Sequence, residues 1–195
     1  MPETLETRLA LSQLSEEEEL LRANVRAFAE AEVRPLVRQM DETAQMPGTL
    51  IDQLFDLGVM AIEIPETFGG AGGNLFLSVI AVEELSRVDP AVAVVVDVQN
   101  TLVSNAVLRW GSDNLQRRVL TRLSTRSVGA YALSEANSGS DAFAMTTQAV
   151  GNGNAYVISG RKLWITNAAE ADLFIVFATV NPAAGYRGVT AFIVD

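Results

Sequence analysis

The stretch Tyr131-Ala-Leu-Ser-Glu-Ala-Asn-Ser-Gly-Ser-Asp-Ala-Phe-Ala144 decides how the chain is interpreted. An apolar, β-prone run that includes Val128 and Leu133 changes abruptly to small polar residues around Gly139. Such a change is typical of a strand that leads into a turn whose backbone N–H groups and hydroxyls are available to a ligand. The sequence therefore predicts a ligand-binding turn at the end of a strand.

The composition excludes several classes of protein. With 195 residues, 49% of them hydrophobic, the chain is long enough to bury a substantial core in one large domain or two small ones. It has no cysteine and no histidine, which excludes disulfides, thiol nucleophiles and thiolate metal sites and removes the commonest general base. Proton chemistry has to use carboxylates, tyrosines, the single lysine Lys162, or a cofactor. A net charge of −10 argues against nucleic acid or an anionic membrane as the main partner.

We expect a soluble, cytoplasmic protein of bacterial type, with a mature protein of the mitochondrial matrix as the other compatible location. The longest uncharged apolar run, Ala91 to Val96, lies between Asp89 and Asp97 and is too short to cross a bilayer. The chain begins with an acidic Met-Pro-Glu segment, so neither a secretory signal nor an Arg-rich transit peptide is expected.

The first 125 residues are helical in pattern. Ser15, followed by a glutamate three residues later, predicts a capping box, and Pro35 should bend or end the first helix. Gly58 is placed for a left-handed cap after a short helix, while Asn74 and Ser112 stand where they would cap later helices.

Near residue 126 the apolar period changes from helical to alternating. Six strands are predicted, at 128–134, 145–150, 155–159, 162–166, 173–180 and 189–194. Helices followed by strands predict an α+β fold with an all-α N-terminal domain at 1–125 and an antiparallel, barrel-like or sandwich-like middle domain at 126–195. We expect this second domain to be incomplete, because a strand that ends at Asp195 leaves an unpaired edge.

Two motifs in order resemble the flavin-binding motifs of the acyl-CoA dehydrogenases. Trp164-Ile165-Thr166 follows the first motif at the spacing used in that family, and the diagnostic positions of the first motif are Ser134, Glu135, Gly139, Ser140 and Asp141. The resemblance covers nearly the whole chain, and the short/branched-chain members are the most similar. Asn137 replaces a more usual glycine, but asparagine also tolerates left-handed backbone angles.

The resemblance implies FAD as the cofactor, together with a set of contacts to it. Ser134 and the backbone of 131–133 would contact the pyrimidine edge, Trp164 would lie against the isoalloxazine ring, and the Thr166 hydroxyl would bond to flavin N5. The complete set of implied flavin-binding residues is Tyr131, Ala132, Leu133, Ser134, Gly139, Ser140, Trp164, Ile165 and Thr166. Small residues with free N–H and O–H groups suit close approach to a ring edge and a pyrophosphate.

The same resemblance implies that an acyl-CoA substrate lies beside the flavin. Ser140 would contact its pantetheine, Tyr186 would contact its thioester, and the segment 97–103 would line the acyl pocket. The alternative for that segment is a buried helix whose polar residues are satisfied internally.

Several of these residues also have plainer interpretations. The serines are ordinary turn formers, Trp164 suits the core of a strand, and Tyr186 suits a turn. Glu135 is interpreted as a structural carboxylate that anchors the turn or pairs with an arginine, and Asp141 likewise. The glycine-rich loop 69–73 lacks the lysine of a phosphate-binding loop and is interpreted as a connector.

The activity implied by the resemblance is α,β-dehydrogenation of a short- or branched-chain acyl-CoA to the 2-enoyl-CoA, with electrons passing to an electron-transfer flavoprotein. Family members continue into a helical domain that carries the catalytic glutamate and builds a homotetramer. That base is expected beyond Asp195, so no catalytic residue and no metal ligand are assigned here, and the chain alone is not expected to be active. The alternatives are a non-catalytic half-subunit that binds flavin or acyl-CoA and is completed by another chain, and an oxidase or monooxygenase relative.

Overall fold

The computed structural model describes residues 13–195. Residues 1–12 lie outside the described residues, and with them the N-terminal segment in which no targeting signal is expected and the start of the predicted domain 1–125. In the described part, helices come first and a five-stranded sheet follows, which confirms the predicted α+β fold.

Seven α-helices lie within the described residues. Their bounds are α1 Glu16–Phe28, α2 Val37–Thr43, α3 Gly48–Asp56, α4 Leu75–Ser86, α5 Pro90–Asp97, α6 Asn105–Trp110 and α7 Asp113–Thr125. The predicted caps are confirmed, because Ser15 forms a capping box with Glu18, and the side chains of Asn74 and Ser112 accept N–H bonds from the first turns of α4 and α7. Gly58 follows α3 with a φ of 85°, as its left-handed cap requires.

Two short π-helices interrupt the helical part. The first, Ala29–Val33, continues through a 3₁₀ turn containing Pro35 into α2, so the proline changes the helix type without ending the helical run. The second, Val98–Ser104, joins α5 to α6, and π turns of this kind are frequent at functional sites. The combined run Pro90–Trp110 is long and apolar enough to cross a membrane, but half of it is buried inside the protein, as in a core helix.

The sheet is mixed rather than antiparallel, which corrects the predicted strand pairing. Its strands are β1 Gly129–Ala132, β2 Gln148–Asn152, β3 Ala155–Ser159, β4 Leu173–Thr179 and β5 Val189–Val194. β4 pairs with β5 antiparallel along one edge, and with β1 and then β2, both parallel, along the other. β3 forms a hairpin with β2. The sheet does not close into a barrel within residues 13–195.

The predicted strand at 162–166 is wrong. Residues 160–172 are irregular, and Trp164 and Asn167 have φ angles of 58° and 67°. Left-handed angles of this kind cannot be accommodated in a strand, where φ is strongly negative. Each of the other five predicted strands overlaps an observed one.

Two buried clusters hold the fold together. The first packs α1, α3, α4 and α5 against one another and reaches Val128 just before β1. The second joins the sheet to the helices. Leu120 and Leu123 of α7 and Val103 of the second π-helix (Val98–Ser104, hereafter the π segment) pack with Leu173 and Ile175 of β4. β1 is thereby held beside the π segment, and this placement forms the candidate site.

Candidate functional site

Both motifs meet in one pocket of about 410 Å³ between the end of β1, the irregular segment 160–172 and the π segment. The residues that line it are Val98, Leu102, Tyr131, Leu133, Ser134, Trp164, Ile165 and Thr166. The structure therefore brings together the residues predicted to face a flavin ring, and Ala132 lies buried between two of them in β1.

Three hydrogen bonds fasten the irregular segment to β1 and its continuation. The N–H of Leu163 donates to the carbonyl oxygen of Ser134 at 2.9 Å, and the Lys162 Nζ donates to that of Leu133 at 2.9 Å. At the other end of the motif, the Asn167 Nδ2 donates to the carbonyl oxygen of Gly129 at 3.1 Å. Residues separated by about 30 positions in sequence thus become the two walls of one pocket.

The free edge of β1 presents backbone donors toward the irregular segment. The carbonyl oxygen of Val128 accepts a hydrogen bond from the N–H of Asp172, on the side of β4. Both backbone groups of Gly129 point away from β4, and they bond to the side chains of Gln99 and Asn167. Because backbone groups alternate along a strand, the N–H group of Tyr131 faces the same edge as that of Gly129. This edge can donate to the oxygens and nitrogens of a planar heterocycle.

Trp164 is not a core residue, so the packing interpretation of this tryptophan is wrong. Its side chain is 94% exposed and lies on the rim of the pocket. Its left-handed backbone is also strained, by roughly 1–3 kcal/mol. An exposed aromatic ring beside two hydroxyls, those of Ser134 and Thr166, suits a flat ligand that is partly polar.

Glu135 is a structural anchor, and its ionic partner is a lysine rather than an arginine. The carboxylate is buried; it accepts from Lys162 Nζ at 2.8 Å, from the N–H and hydroxyl of Thr146, both at 2.7 Å, and from the N–H of Thr147 at 3.0 Å. Burial by itself would raise the pKa of Glu135, but these hydrogen bonds outweigh it and hold the pKa far below its ordinary value.

Gly139 and Ser140 do not line the pocket. They are exposed in the turn that follows it, after Glu135 and Ser138 exchange two backbone hydrogen bonds. A Cβ atom added at Gly139 would meet nothing within 4 Å. This turn therefore leaves room for a ligand that extends away from the pocket.

Tyr186 lies against the same turn. Its ring is 60% exposed, its centroid is 5.8 Å from that of Phe143, and the Arg187 guanidinium lies 5.5 Å above it. Since Phe143 follows Ser140 by three residues, the two candidate substrate contacts share one region of the surface, next to the pocket but outside its lining.

The π segment contains both internally satisfied polar residues, as the buried-helix alternative expects, and a residue that lines the pocket. Gln99 and Asn100 are fully buried and satisfied internally; Asn100, for example, donates to the carbonyl oxygens of Val59 and Val96. Leu102 instead lines the pocket, and it also lines an adjoining apolar pocket of about 440 Å³ between α6 and the sheet.

Sequence reasoning missed the residues that hold the site together. Gln99 fixes the start of β1, Asn167 holds the end of the second motif, and Lys162 links the two motifs. The available signals were weak ones: polar residues inside an apolar helix, an asparagine after the second motif, and a lysine in a chain that has only one.

The glycine-rich loop is a connector, as interpreted. The N–H groups of Ala71, Gly72 and Gly73 donate to the carbonyl oxygens of residues 61, 64 and 62 at 2.7–2.9 Å. Those N–H groups are therefore not free to bind a phosphate.

Two family models identify the family, and together they cover the elements that form the pocket. The family model described as "Acyl-CoA dehydrogenase, N-terminal domain" matches residues 15–127, and the one described as "Acyl-CoA dehydrogenase, middle domain" matches residues 130–195. The chain belongs to the acyl-CoA dehydrogenase family. As an acyl-CoA dehydrogenase family member, it carries both sequence motifs within the second matched region.

Individual relatives agree with this assignment. The chain is 51% identical over 186 residues to a probable short/branched chain specific acyl-CoA dehydrogenase of Dictyostelium discoideum, covering 95% of this chain and 45% of the relative. It is 42% identical to the mitochondrial short/branched chain specific acyl-CoA dehydrogenase of Rattus norvegicus, covering 95% and 43%. The chain thus spans a little under half the length of these relatives.

Solved structures share the fold. Butyryl-CoA dehydrogenase from Megasphaera elsdenii superimposes with a TM-score of 0.89 at 31% identity, over 94% of this chain and 49% of that one. A glutaryl-CoA dehydrogenase from Mycobacterium smegmatis, solved in complex with FADH2, superimposes with a TM-score of 0.83 at 30% identity, over 93% and 46%.

Proposed function

We propose that this chain supplies the flavin-facing part of an enzyme that dehydrogenates a short- or branched-chain acyl-CoA to the 2-enoyl-CoA. The observation that carries the proposal is the convergence of two distant motifs on one pocket with an exposed, strained tryptophan at its rim. The substrate class is supported by relatives named as short/branched chain specific enzymes.

The lining of the pocket offers the kinds of group that an isoalloxazine ring can contact. Trp164 offers an aromatic face, the β1 edge offers the N–H group of Tyr131, and Ser134 and Thr166 offer hydroxyls. FAD, when bound, supplies the hydride acceptor. We assign the ring contacts to residues 131–134 and 164–166, and the pyrophosphate contacts to Gly139 and Ser140 in the open turn. In this assignment the Thr166 hydroxyl would donate a hydrogen bond to the flavin ring, and a donor there would stabilise electron density added to the ring.

The substrate side is assigned to the exposed turn and to Tyr186. Ser140 offers a hydroxyl to the pantetheine, and Tyr186 offers its phenol to the thioester end. Phe143 and Arg187 both pack against the Tyr186 ring and restrict the directions in which it can point. We assign no acyl chain length, because one methylene changes binding by only about 1–3 kcal/mol.

Proton abstraction is assigned to a carboxylate beyond Asp195 in the complete protein. Glu135, the buried carboxylate nearest the pocket, is unsuited to this role because it is fully engaged in hydrogen bonds and its depressed pKa makes it a weak base. The relatives, at about twice the length of this chain, have room for a further domain that carries the base.

The remaining assignments rest on the family. We propose a helical domain at 1–125 and a partial middle domain at 126–195, a homotetramer for the complete protein, and an electron-transfer flavoprotein as the electron acceptor. We propose the cytoplasm for a bacterial source and the mitochondrial matrix otherwise, since one similar enzyme is named as mitochondrial.

The test is to purify the complete gene product and record its flavin absorbance. Bound FAD should bleach when 2-methylbutanoyl-CoA or butanoyl-CoA is added without oxygen. Colourless protein that cannot be loaded with FAD would refute the proposal. Sequencing the gene beyond Asp195 distinguishes this proposal from the alternative of a half-subunit completed by another chain. A stop codon there, followed by a gene for a helical partner, would support the half-subunit.

A further inference from the structure

One buried ion pair joins three segments that meet at the pocket. The Lys162 side chain is 11% exposed and the Glu135 side chain 5%, and the Lys162 Nζ donates both to Glu135 Oε1 and to the carbonyl oxygen of Leu133. The other Glu135 oxygen accepts two bonds from Thr146, just before β2. The cluster therefore connects the end of β1, the approach to β2 and the irregular segment that carries Trp164.

Stability alone is a poor explanation for this cluster. Removing two charges from water costs several kcal/mol each, and apolar residues of similar size often stabilise a protein at least as well as a buried ion pair. What a satisfied ionic cluster does supply is a fixed geometry, because charge-assisted hydrogen bonds are short and directional. The geometry that is fixed here is the placement of Leu133 and Ser134 relative to residues 163 and 164.

The strained backbone of Trp164 needs such a fixed geometry. A tryptophan with a φ of 58° persists only when its neighbours are held on both sides. On one side it is held by Lys162 and by the N–H of Leu163, and on the other by Asn167, which donates to the carbonyl oxygen of Gly129.

We propose that Lys162 and Glu135 are positioning residues that set the spacing and orientation of the two walls of the flavin pocket. The inference rests on the proposed function in so far as the ligand is FAD. Neither side chain lines the pocket, so the pair acts through the Leu163–Ser134 hydrogen bond and the backbone of Trp164. Breaking it should therefore alter how the flavin is held as well as destabilise the fold.

The experiment uses the complete gene product with Lys162→Met and, separately, Glu135→Gln. Glu84→Gln is the matched control, because Glu84 is a buried carboxylate that accepts two 2.7 Å bonds from Arg26 between α1 and α4, away from the pocket. Lys162→Arg tests rescue by a retained charge. The readouts are FAD affinity, the reduction potential of bound FAD, and hydrogen exchange of the Leu163 amide.

We expect Lys162→Met and Glu135→Gln each to weaken FAD binding about tenfold to a hundredfold. This fold-change corresponds to the free energy of one charge-assisted hydrogen bond. Both should accelerate exchange at Leu163 and shift the flavin potential, and Lys162→Arg should restore part of each. Glu84→Gln should lower the unfolding temperature and leave the three readouts unchanged.

The inference would be overturned if a folded Lys162→Met protein had the same FAD affinity, the same flavin reduction potential and the same Leu163 amide exchange rate as the wild type. If that variant does not fold, the same three values in Glu135→Gln decide. If the wild-type protein binds no FAD at all, the proposed function fails, and Leu163 exchange alone decides whether Lys162 positions this wall: unchanged exchange overturns the inference, and faster exchange supports it.

Discussion

The Oε1 atom of Gln99 accepts a hydrogen bond from the N–H of Gly129 at 2.8 Å. The same side chain donates to the carbonyl oxygen of Ser127 at 3.0 Å, so one residue of the π segment holds the first residue of β1 and a residue two positions before it. Because β1 leads directly into the pocket, the helical part determines where the pocket-facing edge of the strand starts.

Replacing Gln99 with leucine should therefore destabilise the protein by about 2–4 kcal/mol, because it leaves buried backbone groups without partners. Urea unfolding of the complete protein measures the change. Gln53→Leu, at a glutamine whose bond to Glu32 is exposed to solvent, should change the free energy of unfolding by less than about 0.5 kcal/mol. Equal losses at both sites would contradict this account of Gln99.

Gly70 should not tolerate a side chain. A Cβ atom there would lie 2.1 Å from the carbonyl oxygen of Ile64, which is backbone and cannot move aside cheaply. Gly70→Ala should cost about 1–3 kcal/mol of stability, measured by thermal unfolding. Gly48→Ala is the control: its added Cβ meets nothing within 4 Å in α3, so it should be neutral or stabilising by up to about 1 kcal/mol.

Local sequence signals predicted the elements whose conformation depends on neighbours in the chain. The caps at Ser15 and Asn74, and the left-handed glycine at 58, all act within a few residues, and all are observed. The strand prediction for 162–166 is wrong because its alternating apolar residues favour a strand. The actual conformation depends on two distant contacts: Lys162 bonds to Glu135, 27 residues away, and Asn167 bonds to Gly129, 38 residues away. No local pattern encodes those contacts.

The candidate site divides in the same way. Motif residues such as Ser134 and Thr166 could be recognised from their order and spacing, and the structure brings them into one pocket. The direction of β1 relative to β4 could not be predicted, because an apolar strand of four residues fits parallel and antiparallel neighbours equally well.

The depressed pKa of Glu135 predicts a loss of stability in acid. Burial would raise this pKa, but the bonds from Lys162 and the threonines hold it below the ordinary value of 4.5. Above pH 4.5 the ionised carboxylate contributes its full stabilisation. As the pH falls below 4.5, the unfolded chain binds the proton first, so stability declines until the folded pKa is passed.

Glu135→Gln should remove this part of the pH dependence, and the free energy of unfolding measured between about pH 3 and 6 should then fall less steeply in acid than that of the wild type. Glu30→Gln is a suitable comparison, because Glu30 also has a lowered pKa from its hydrogen bond to Arg34 but lies exposed to solvent. Its effect on the slope should be smaller, since solvent screens exposed pairs. A larger effect at Glu30 would contradict the prediction.

Gly139→Ala should separate folding from cofactor binding. The added methyl group meets no atom within 4 Å, and the glycine has no left-handed backbone angle, so stability should stay within about 0.5 kcal/mol of the wild type. If the pyrophosphate of FAD approaches this backbone closely, the methyl group should nevertheless weaken FAD binding several-fold. A fluorescence titration with FAD provides the measurement, and unchanged affinity would place the pyrophosphate elsewhere.

Trp164→Ala should leave the fold intact and impair flavin binding. The side chain is 94% exposed, so its removal creates no cavity, and the free energy of unfolding should change by less than about 0.5 kcal/mol. Loss of an aromatic face against the ring should weaken FAD binding by about tenfold, as expected for one stacking contact. Trp110→Ala is the matched control, because Trp110 is 85% exposed and lies outside the 410 Å³ pocket, and it should bind FAD as the wild type does. A loss of several kcal/mol in Trp164→Ala, of the size seen for core tryptophans, would instead return Trp164 to a packing role.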